Sequence, residues 1–434
     1  MQIPPPFALE RYFGRYEFSA PPHMLSAADC ETWSAGDLFA LEEGSLDDFC
    51  SMRFGYTESQ GDPTLREEIS DLSGGDIGPD RCVVFAGAEE AIYITMHALL
   101  SPGDHVVILS PPAYQSLHEV PPRHIGADVS YWQMKEESGW RPDMAELWSL
   151  IRPETKCIVI NTPHNPTGFH FSAAELDEII GIAEEKGIWL FSDEVYRFGG
   201  EYSSADLLPS VASWYEKGIS VGVMSKSFGL AGLRLGWVAT RDTDLISRML
   251  AWKDYTTICT SAPAEFLSTL ALRHRETIIA RNRDILNENR ALLNAFFARH
   301  PDLFCCREPR AGPVCFPRFM GEEGGAEAFC DTLVRETGVI LLPSTVFAPV
   351  TSISGLDSDG GTWCPPSRCW KSIWPKTGAE RFVENGSVLL PGYQKKRQNI
   401  TEVRTGMECS GLSSVFSVIN PALWQCRIIL CSFL

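Results

Sequence analysis

The sequence predicts an α/β fold: a mostly parallel central sheet with helices on both faces, accompanied by a smaller α+β domain. Two observations predict it. Five short apolar runs end in or beside Gly, Ser, Asn or Asp, and stretches with a helical spacing of apolar residues separate them. Strands that are apolar on both faces need cover on both sides, which is typical of parallel sheets. The five runs are RCVVFAG, DHVVILS, KCIVIN, IWLFSD and ISVGVMS, and the helical stretch SAAELDEIIGIAEEK begins with an N-cap serine, Ser172.

The sequence predicts that the chain is divided into four consecutive segments. Residues 1–46 form an N-terminal segment that packs with the small domain, and residues 47–261 form the large domain, which is expected to bind a cofactor. Residues 262–347 hold a bridging region and the small domain, with a helical period over 262–298 that indicates one long helix or two abutting ones. Residues 348–434 show little helix or strand period, and we interpret them as an atypical tail of aberrant or alternatively spliced sequence.

Composition narrows the classes of function. The 434-residue chain has a formal net charge of −19, so neither nucleic acid nor an anionic membrane surface is expected as a partner. No apolar run has the ~18 to 20 residues of a membrane helix, and the N-terminus lacks the basic and apolar regions of a signal peptide. The fourteen cysteines are scattered without metal-ligand spacing, which predicts reduced thiols and no metal site. A cytoplasmic protein is the expectation.

A lysine lies where a buried strand is predicted to end. In GVMSKSFGLAGLRLGW, residues 222–237, Lys226 follows the apolar run and is flanked by Ser225 and Ser227. A buried ammonium group is costly unless its pKa falls or it has a partner. One use for such an amine is a Schiff base with a carbonyl cofactor. The alternative is a lysine that extends to solvent at the rim of the sheet.

Four other residues at strand ends supply what pyridoxal phosphate requires from a protein. Asp193, at the end of IWLFSD, offers a carboxylate to the pyridine nitrogen, and Tyr196 can donate to the phenolate oxygen. Asn165, in the turn NTPHNPTG, can donate a second hydrogen bond to that oxygen, and Tyr114 can stack on the ring. Each has an ordinary alternative: a helix N-cap for Asp193, a plain turn for Asn165, and half-buried core positions for the tyrosines.

The phosphate of that cofactor needs backbone N–H groups and a fixed cation. Ala88 and Glu89 open a predicted helix after RCVVFAG, and a helix N-terminus suits an anion. Ser225 and Ser227 can add hydroxyl donors, and Arg234 can add a forked guanidinium. Only the amide of Glu89 is needed, so its side chain is expected to turn away.

Three motifs in series resemble those of the class I/II aminotransferases, which are fold-type I pyridoxal-phosphate enzymes. They are NTPHNPTG, SDEVYRF and SKSFGLAGLRLGW, and the resemblance runs from about Pro4 to Phe347. It implies that Lys226 binds the cofactor and catalyses the proton shift, and that an amino acid and a 2-oxo acid are the substrates. It implies the same cofactor contacts as above for Asp193, Tyr196 and Asn165, with Tyr114 over the ring. The phosphate would be held by Ala88, Glu89, Ser225 and Arg234.

A further stretch, RFGYTESQGDPTLREEI, is similar to the family's YxxxxGxxxLR pattern. In that pattern the tyrosine reaches the phosphate of the neighbouring subunit. The resemblance therefore implies this role for Tyr56, and with it a homodimer with shared active sites. An ordinary loop tyrosine is the alternative.

The sequence departs from the family where the substrate carboxylate is bound. The resemblance implies Asn165 and an arginine on a strand soon after GVILLPSTVF, but no such motif follows Phe347 at the usual distance. Arg404, in EVRTGM, is the candidate, because SVLLPGYQ precedes it by a family-like interval. An unrelated tail arginine is the alternative.

Amino transfer between an amino acid and a 2-oxo acid is the leading hypothesis, with specialised metabolism as a context. A second hypothesis is a lyase or cyclase that acts on a basic amino acid, because the N-terminal IPPPFALERYFGRYEF is similar to that of capreomycidine-synthase-like enzymes. A third is a catalytically silent or truncated paralogue that binds the cofactor. The cofactor motifs do not distinguish these three hypotheses, because they stabilise a carbanion at the substrate Cα and do not determine which reaction follows.

Overall fold

The structure is a computed structural model that describes residues 6–16, 23–74, 77–199, 207–321 and 325–347, and the backbone of 430–433. All of these belong to one compact unit, Met1–Ser358 with Cys426–Leu434; a second unit, Asp359–Gln425, lies outside the described residues. The segment boundaries predicted at residues 46, 261 and 347 all fall inside the first unit. The division into a large domain, a small domain and an N-terminal segment therefore stays our proposal.

Helices and strands alternate through most of the described chain. The helices are α1 (Ala8–Tyr16), α2 (Ala35–Phe39), α3 (Ser45–Ser51), α4 (Pro63–Leu72), α5 (Ala88–Leu99), α6 (Gln115–Glu119), α7 (Met144–Leu150), α8 (Ala173–Lys186), α9 (Val211–Trp214), α10 (Thr243–Lys253), α11 (Ala262–Arg273), α12 (Arg275–Arg299) and α13 (Gly325–Thr337). The strands are β1 (His23–Met24), β2 (Cys82–Phe85), β3 (His105–Leu109), β4 (Asp128–Trp132), β5 (Thr155–Asn161), β6 (Trp189–Asp193), β7 (Gly218–Val223), β8 (Gly236–Thr240), β9 (Phe304–Cys305), β10 (Val314–Cys315), β11 (Arg318–Phe319), β12 (Val339–Ile340), β13 (Leu342–Pro343) and β14 (Leu430–Phe433).

A seven-stranded sheet forms the centre of the fold, in the order β2-β8-β7-β6-β5-β3-β4. Only β8 runs antiparallel to its neighbours, so the mostly parallel sheet expected from the sequence is confirmed. The five predicted apolar runs become β2, β3, β5, β6 and β7. The edge strand β4 was not predicted, because its exposed and buried residues alternate and its apolar content is diluted.

Helices cover both faces of this sheet. Successive residues of β3 point to opposite sides: Val106 lies in a buried cluster with Ile92 of α5, and Val107 lies in another with Ile179 of α8. α8 begins as predicted, with the Ser172 hydroxyl accepting from the Glu175 amide at 3.3 Å and the Glu175 carboxylate accepting from the Ser172 amide at 2.7 Å. The two helix layers exclude water from the strands and leave only the strand ends open to a ligand.

The bridging region consists of two abutting helices, which is one of the two alternatives that the sequence predicted. α11 and α12 are separated at His274, whose backbone leaves helical geometry with φ −104° and ψ 23°. The His274 Nε2 lies 3.0 Å from a carboxylate oxygen of Glu42. No helix within the described ranges is long and apolar enough to cross a membrane.

The last described residues form a strand that the sequence analysis does not predict. β14 is parallel to β10 on one side and to β13 on the other, with Leu430 opposite Val314 and Ser432 opposite Leu342. The apolar run IILCSF has the length of a buried strand. It was not predicted as one because the surrounding tail shows little helix or strand period. The tail is therefore not uniformly irregular. Arg404, the predicted carboxylate ligand, lies outside the described residues.

Candidate active site

The carboxyl ends of the central strands meet at one edge of the sheet. Asn161, the last residue of β5, is in register with Asp193, the last residue of β6. Gly236, which starts the antiparallel strand β8, is in register with Val223 of β7 and Phe85 of β2. Segments that follow β2, β5, β6 and β7 and the segment that precedes β8 are thereby brought together.

A cavity of about 330 Å³ opens at this edge. It brings together every cofactor-binding residue expected from the sequence except Tyr56 and Ser227. Those residues are Ala88, Glu89, Tyr114, Asn165, Asp193, Tyr196, Ser225, Lys226 and Arg234. They come from six segments of the chain, so the cavity is the candidate active site.

Lys226 follows β7 and is half-buried in the wall of this cavity. Its positive charge acts on two neighbours. It lowers the pKa of the Asp193 carboxyl and that of the Cys30 thiol, in both cases against a larger rise caused by burial. The lysine amine and the Asp193 carboxyl are therefore close enough to interact within one cavity.

Asp193 is a buried carboxyl held by its backbone surroundings. Burial raises its pKa to about 7, the charges of Glu194 and Glu89 add to the rise, and the Val195 N–H, which donates to its Oδ1 at 3.2 Å, opposes it. The Asn161 side-chain Nδ2 donates to the backbone carbonyl of Asp193 at 3.0 Å. A cationic ring nitrogen beside this carboxyl would restore its charged form.

Glu194 points away from the cavity, as expected for consecutive residues at a strand end. Its carboxylate accepts from the Val211 N–H at 2.9 Å and from the Ser220 hydroxyl at 2.7 Å. Only one of the two adjacent carboxylates therefore faces the site.

The buried Asp193 carboxyl predicts a pH dependence of stability in the cofactor-free protein. Its folded pKa of about 7 lies above the unfolded value near 3.8, so the folded state binds this proton more tightly. The free energy of unfolding should fall as pH rises from about 4 to about 7, by up to about 4 kcal/mol from this group. Denaturant titrations of wild type and Asp193→Asn measure it: the variant should gain stability relative to wild type across that window. A constant difference between the two proteins would contradict the prediction.

Two of the expected cofactor-binding residues have polar atoms that lack hydrogen-bond partners. The Tyr196 hydroxyl and the Asn165 Oδ1 are both buried, and within the described residues neither is paired. The Asn165 backbone is fixed instead, since its N–H donates to Asn161 Oδ1 at 2.6 Å. Burial raises the pKa of Tyr196, so its hydroxyl stays protonated and able to donate. A buried polar group without a hydrogen bond destabilises the folded protein by about 1–3 kcal/mol. A bound group that forms hydrogen bonds with these atoms would remove that destabilisation.

Tyr196→Phe should therefore act in opposite directions on stability and on ligand binding. Removing the unpaired hydroxyl should stabilise the cofactor-free protein by about 1 kcal/mol, because a buried unsatisfied group is lost. The same change should weaken binding of pyridoxal phosphate roughly tenfold, since a donor is lost. Thermal unfolding and fluorescence titration with pyridoxal phosphate measure the two effects.

Tyr12→Phe is the matched control, because Tyr12 also has a buried hydroxyl without a partner in the described structure but does not line the cavity. It should stabilise the protein without changing pyridoxal phosphate affinity. Equal effects of the two substitutions on affinity would show that Tyr196 has no special role.

Tyr114 is held at the cavity wall by a carboxylate. Its hydroxyl donates to Glu89 Oε2 at 3.1 Å, and the Ser116 hydroxyl donates to the other carboxylate oxygen. The ring of Phe7 lies against it, with centroids 5.5 Å apart. The Glu89 side chain is thus turned toward Tyr114, as expected, and its amide remains at the start of α5.

The start of α5 has the geometry of an anion site. The N-cap of this twelve-residue helix is Gly87, with φ 98°, and a Cβ there would lie 2.9 Å from the Arg234 guanidinium. A Cβ on Gly236 would lie 2.8 Å from the Ala88 nitrogen. Glycine is needed at both positions because the guanidinium and the strand approach the helix so closely. Backbone N–H groups and a cation therefore face the same end of the cavity.

Two expected residues lie outside this cavity. The Ser227 hydroxyl is buried and donates to the Val195 carbonyl at 3.3 Å, so the expectation that it joins the anion site is wrong. The chain turns directly after β7, so the strand period no longer sets side-chain direction, and of the two serines only Ser225 lines the cavity. Tyr56 is 91% exposed, and its role in a neighbouring subunit stays a prediction.

The N-terminal segment and the residues near Phe347 also line the cavity, which the sequence does not predict. The lining residues from these parts are Leu9, Glu10, Phe13, Met24, Ser26, Ala27, Ala28, Asp29, Leu342 and Phe347. No local motif marks them, because they reach the site only through long-range packing such as the 2.7 Å hydrogen bond from the Ala8 N–H to Gln115 Oε1.

The residues of this cavity fit pyridoxal phosphate. An amine, a buried carboxyl, an unpaired hydroxyl and a helix N-terminus with a guanidinium meet in one cavity, and each matches one functional group of that cofactor. Lys226 could hold the aldehyde carbon, Asp193 the ring nitrogen, and Arg234 the phosphate.

Comparison with known proteins gives consistent matches. Residues 42–353 match the family described as aminotransferase class I and II. Capreomycidine synthase from Streptomyces vinaceus is 28% identical over 331 residues, 74% of this chain and 82% of that protein. A PLP-dependent aminotransferase from Streptococcus suis has a similar structure, with 34% identity, a TM-score of 0.74, and coverage of 80% of this chain and 91% of that one. The PLP-dependent cyclase OrfR is similar at 28% identity and a TM-score of 0.72, with the same coverage.

Proposed function

Since this chain belongs to the class I and II aminotransferases, with their fold-type I α/β architecture and pyridoxal phosphate cofactor, we propose that it transfers an amino group from an amino acid to a 2-oxo acid. The observation that carries the proposal is the meeting of Lys226, the buried Asp193 carboxyl and the unpaired Tyr196 hydroxyl in one cavity.

Each residue has a defined task in this proposal. Bound pyridoxal phosphate supplies an electron sink for the negative charge that develops at the substrate Cα. The Lys226 amine would take the proton from the substrate Cα and deliver it to the aldehyde carbon of the cofactor, acting first as a general base and then as a general acid. The Asp193 carboxylate keeps the ring nitrogen protonated, and Tyr196 and Asn165 donate to the phenolate oxygen.

The remaining residues orient the cofactor. Tyr114 packs over the ring and is held by Glu89. Backbone amides at Ala88 and Glu89, the Ser225 hydroxyl and the Arg234 guanidinium hold the phosphate. Asn165 also contributes to the substrate carboxylate site.

Dimerisation completes the proposed site. Tyr56 is exposed on this chain and does not line its cavity. We propose that it reaches the phosphate bound by a second copy, in a homodimer with shared active sites. Specialised metabolism and a cytoplasmic location likewise remain proposals, drawn from the sequence.

A second candidate function is a lyase or cyclase reaction on a basic amino acid. The similarity to capreomycidine synthase and to the cyclase OrfR favours it. The cavity residues serve both reactions, because both begin with loss of the Cα proton.

A single-turnover experiment separates the two functions. Purified protein loaded with pyridoxal phosphate is mixed with each amino acid of a panel, without a 2-oxo acid. Amino transfer should give the pyridoxamine form and one equivalent of 2-oxo acid. A lyase or cyclase should return the starting absorbance and release a product without net amino transfer to the cofactor.

A silent paralogue would behave differently again. Borohydride would fix the cofactor to Lys226, but no amino acid of the panel would change the spectrum. That result would refute the proposed catalytic function while leaving cofactor binding intact.

A further inference from the structure

We propose that the amino donor of this enzyme carries a second positive charge at the far end of its side chain, and that Glu10 and Asp29 are the residues that select it. This inference rests on the proposed function, whose site it extends. It starts from the charges in the cavity wall that the cofactor does not use.

The described lining of the cavity has more carboxylates than the cofactor requires. Its acidic residues are Glu10, Asp29, Glu89 and Asp193, and its basic residues are Lys226 and Arg234. The proposed function assigns Asp193, Lys226 and Arg234 to the cofactor. The described residues that face the substrate therefore include three carboxylates and no cation.

Glu10 and Asp29 both line the cavity. The charge of Glu10 raises the pKa of both Glu89 and Tyr114, so it acts on that hydrogen-bonded pair. The charge of Asp29 raises the pKa of Tyr196.

Both carboxylates are available to a ligand. Within the described ranges, neither Glu10 nor Asp29 forms a hydrogen bond or an ion pair with its side chain. Glu89 differs, because Tyr114 and Ser116 already donate to it. The selection of a substrate is therefore assigned to the first two.

An unpaired hydroxyl supports the same conclusion independently. Ser26 is fully buried and lines the cavity three residues before Asp29, and its Oγ has no partner in the described part of the chain. A hydroxyl oxygen is an acceptor for an ammonium or guanidinium N–H. A cation near Asp29 would satisfy both groups.

Apolar side chains that line the same cavity match the rest of such a donor. The stem of a long cationic side chain is a run of methylenes, which packs well on apolar surface. The larger apolar lining residues from the N-terminal segment and the region near Phe347 are Leu9, Phe13, Met24, Leu342 and Phe347. An acidic donor would instead place its carboxylate against like charges, which is unfavourable.

Arginine and citrulline test this inference, because they are nearly isosteric and differ in the charge of the terminal group. For the holoenzyme, kcat/KM should be at least about tenfold higher for arginine. Glu10→Gln and Asp29→Asn should each lower that ratio about fivefold, and Glu10→Lys should shift the preference toward glutamate. Glu43→Gln and Asp47→Asn remove equal charge at exposed positions outside the cavity, and they should keep the ratio of the wild type.

A titration separates this inference from the proposed function. Isothermal titration of borohydride-treated protein with each amino acid reports binding without turnover. Tighter binding of arginine than citrulline that is lost in Glu10→Gln and Asp29→Asn supports the inference, even if no donor reacts. Equal binding of the two ligands, tighter binding of glutamate, or a preference unchanged in both variants would overturn it, even if amino transfer from other donors is observed.

Discussion

Lys226→Ala is expected to reduce the rate of amino transfer by at least about a thousandfold. The amine is the one group in the cavity that the proposed function assigns to moving the Cα proton. The remaining basic group of the described lining, Arg234, is assigned to the phosphate. Formation of 2-oxo acid per active site, measured in a single turnover, checks the rate.

The variant also tests covalent attachment. Borohydride treatment of the wild type in the presence of pyridoxal phosphate should add one cofactor mass to the peptide that contains Lys226, and the variant should gain none. Lys135→Ala is the control, since Lys135 is exposed and lies outside the cavity. Wild-type turnover by Lys226→Ala, or trapping at another lysine, would refute the proposed role.

Asp193→Asn is expected to lower kcat/KM about a hundred- to a thousandfold. The substitution keeps the shape of the side chain and its acceptor for the Val195 N–H, but it removes the negative charge. Without that charge the ring nitrogen is no longer held protonated, so less charge is drawn away from Cα. Cofactor affinity and kcat/KM should be measured separately, because the loss is expected mainly in the second.

Glu194→Gln is the matched control for Asp193→Asn. Glu194 is the adjacent residue and is also buried, but its carboxylate accepts from Val211 and Ser220 on the other side of the strand. It should keep kcat/KM within a few-fold of the wild type. If both substitutions lowered kcat/KM equally, loss of a buried charge and not its position would be the cause.

The outcome of Tyr196→Phe complements these two. It is expected to leave the proton transfer in place and to alter cofactor binding, so the three variants separate three tasks in one cavity. Lys226 serves proton transfer, Asp193 serves charge stabilisation, and Tyr196 serves cofactor binding and orientation.

Much of the site was predictable because its residues lie directly after buried strands. A continuous apolar run that ends in or beside Gly, Ser, Asn or Asp shows where each buried strand ends. Asn165, Asp193 and Lys226 follow β5, β6 and β7 closely or end them, and parallel strands bring such ends to one edge. Their nearness in space was therefore implicit in the sequence pattern.

The direction in which a side chain points was less predictable. Ser225 and Ser227 flank the same lysine, but only Ser225 faces the cavity. The loop after β7 turns immediately, so the strand period no longer applies. The hydrogen bond from Ser227 to Val195 reflects packing between two loops.

The amino-acid sequence alone was enough to predict the α/β class, five of the seven strands of the central sheet and the pyridoxal phosphate cofactor. Each of these depends on residues that are neighbours in the chain, where period and composition act. The folded structure was needed to show that Glu10, Ser26 and Asp29 line the same cavity, and that β14 pairs with β10 and β13. Those contacts join segments that are far apart in sequence, and the packing of whole elements produces them rather than any local pattern.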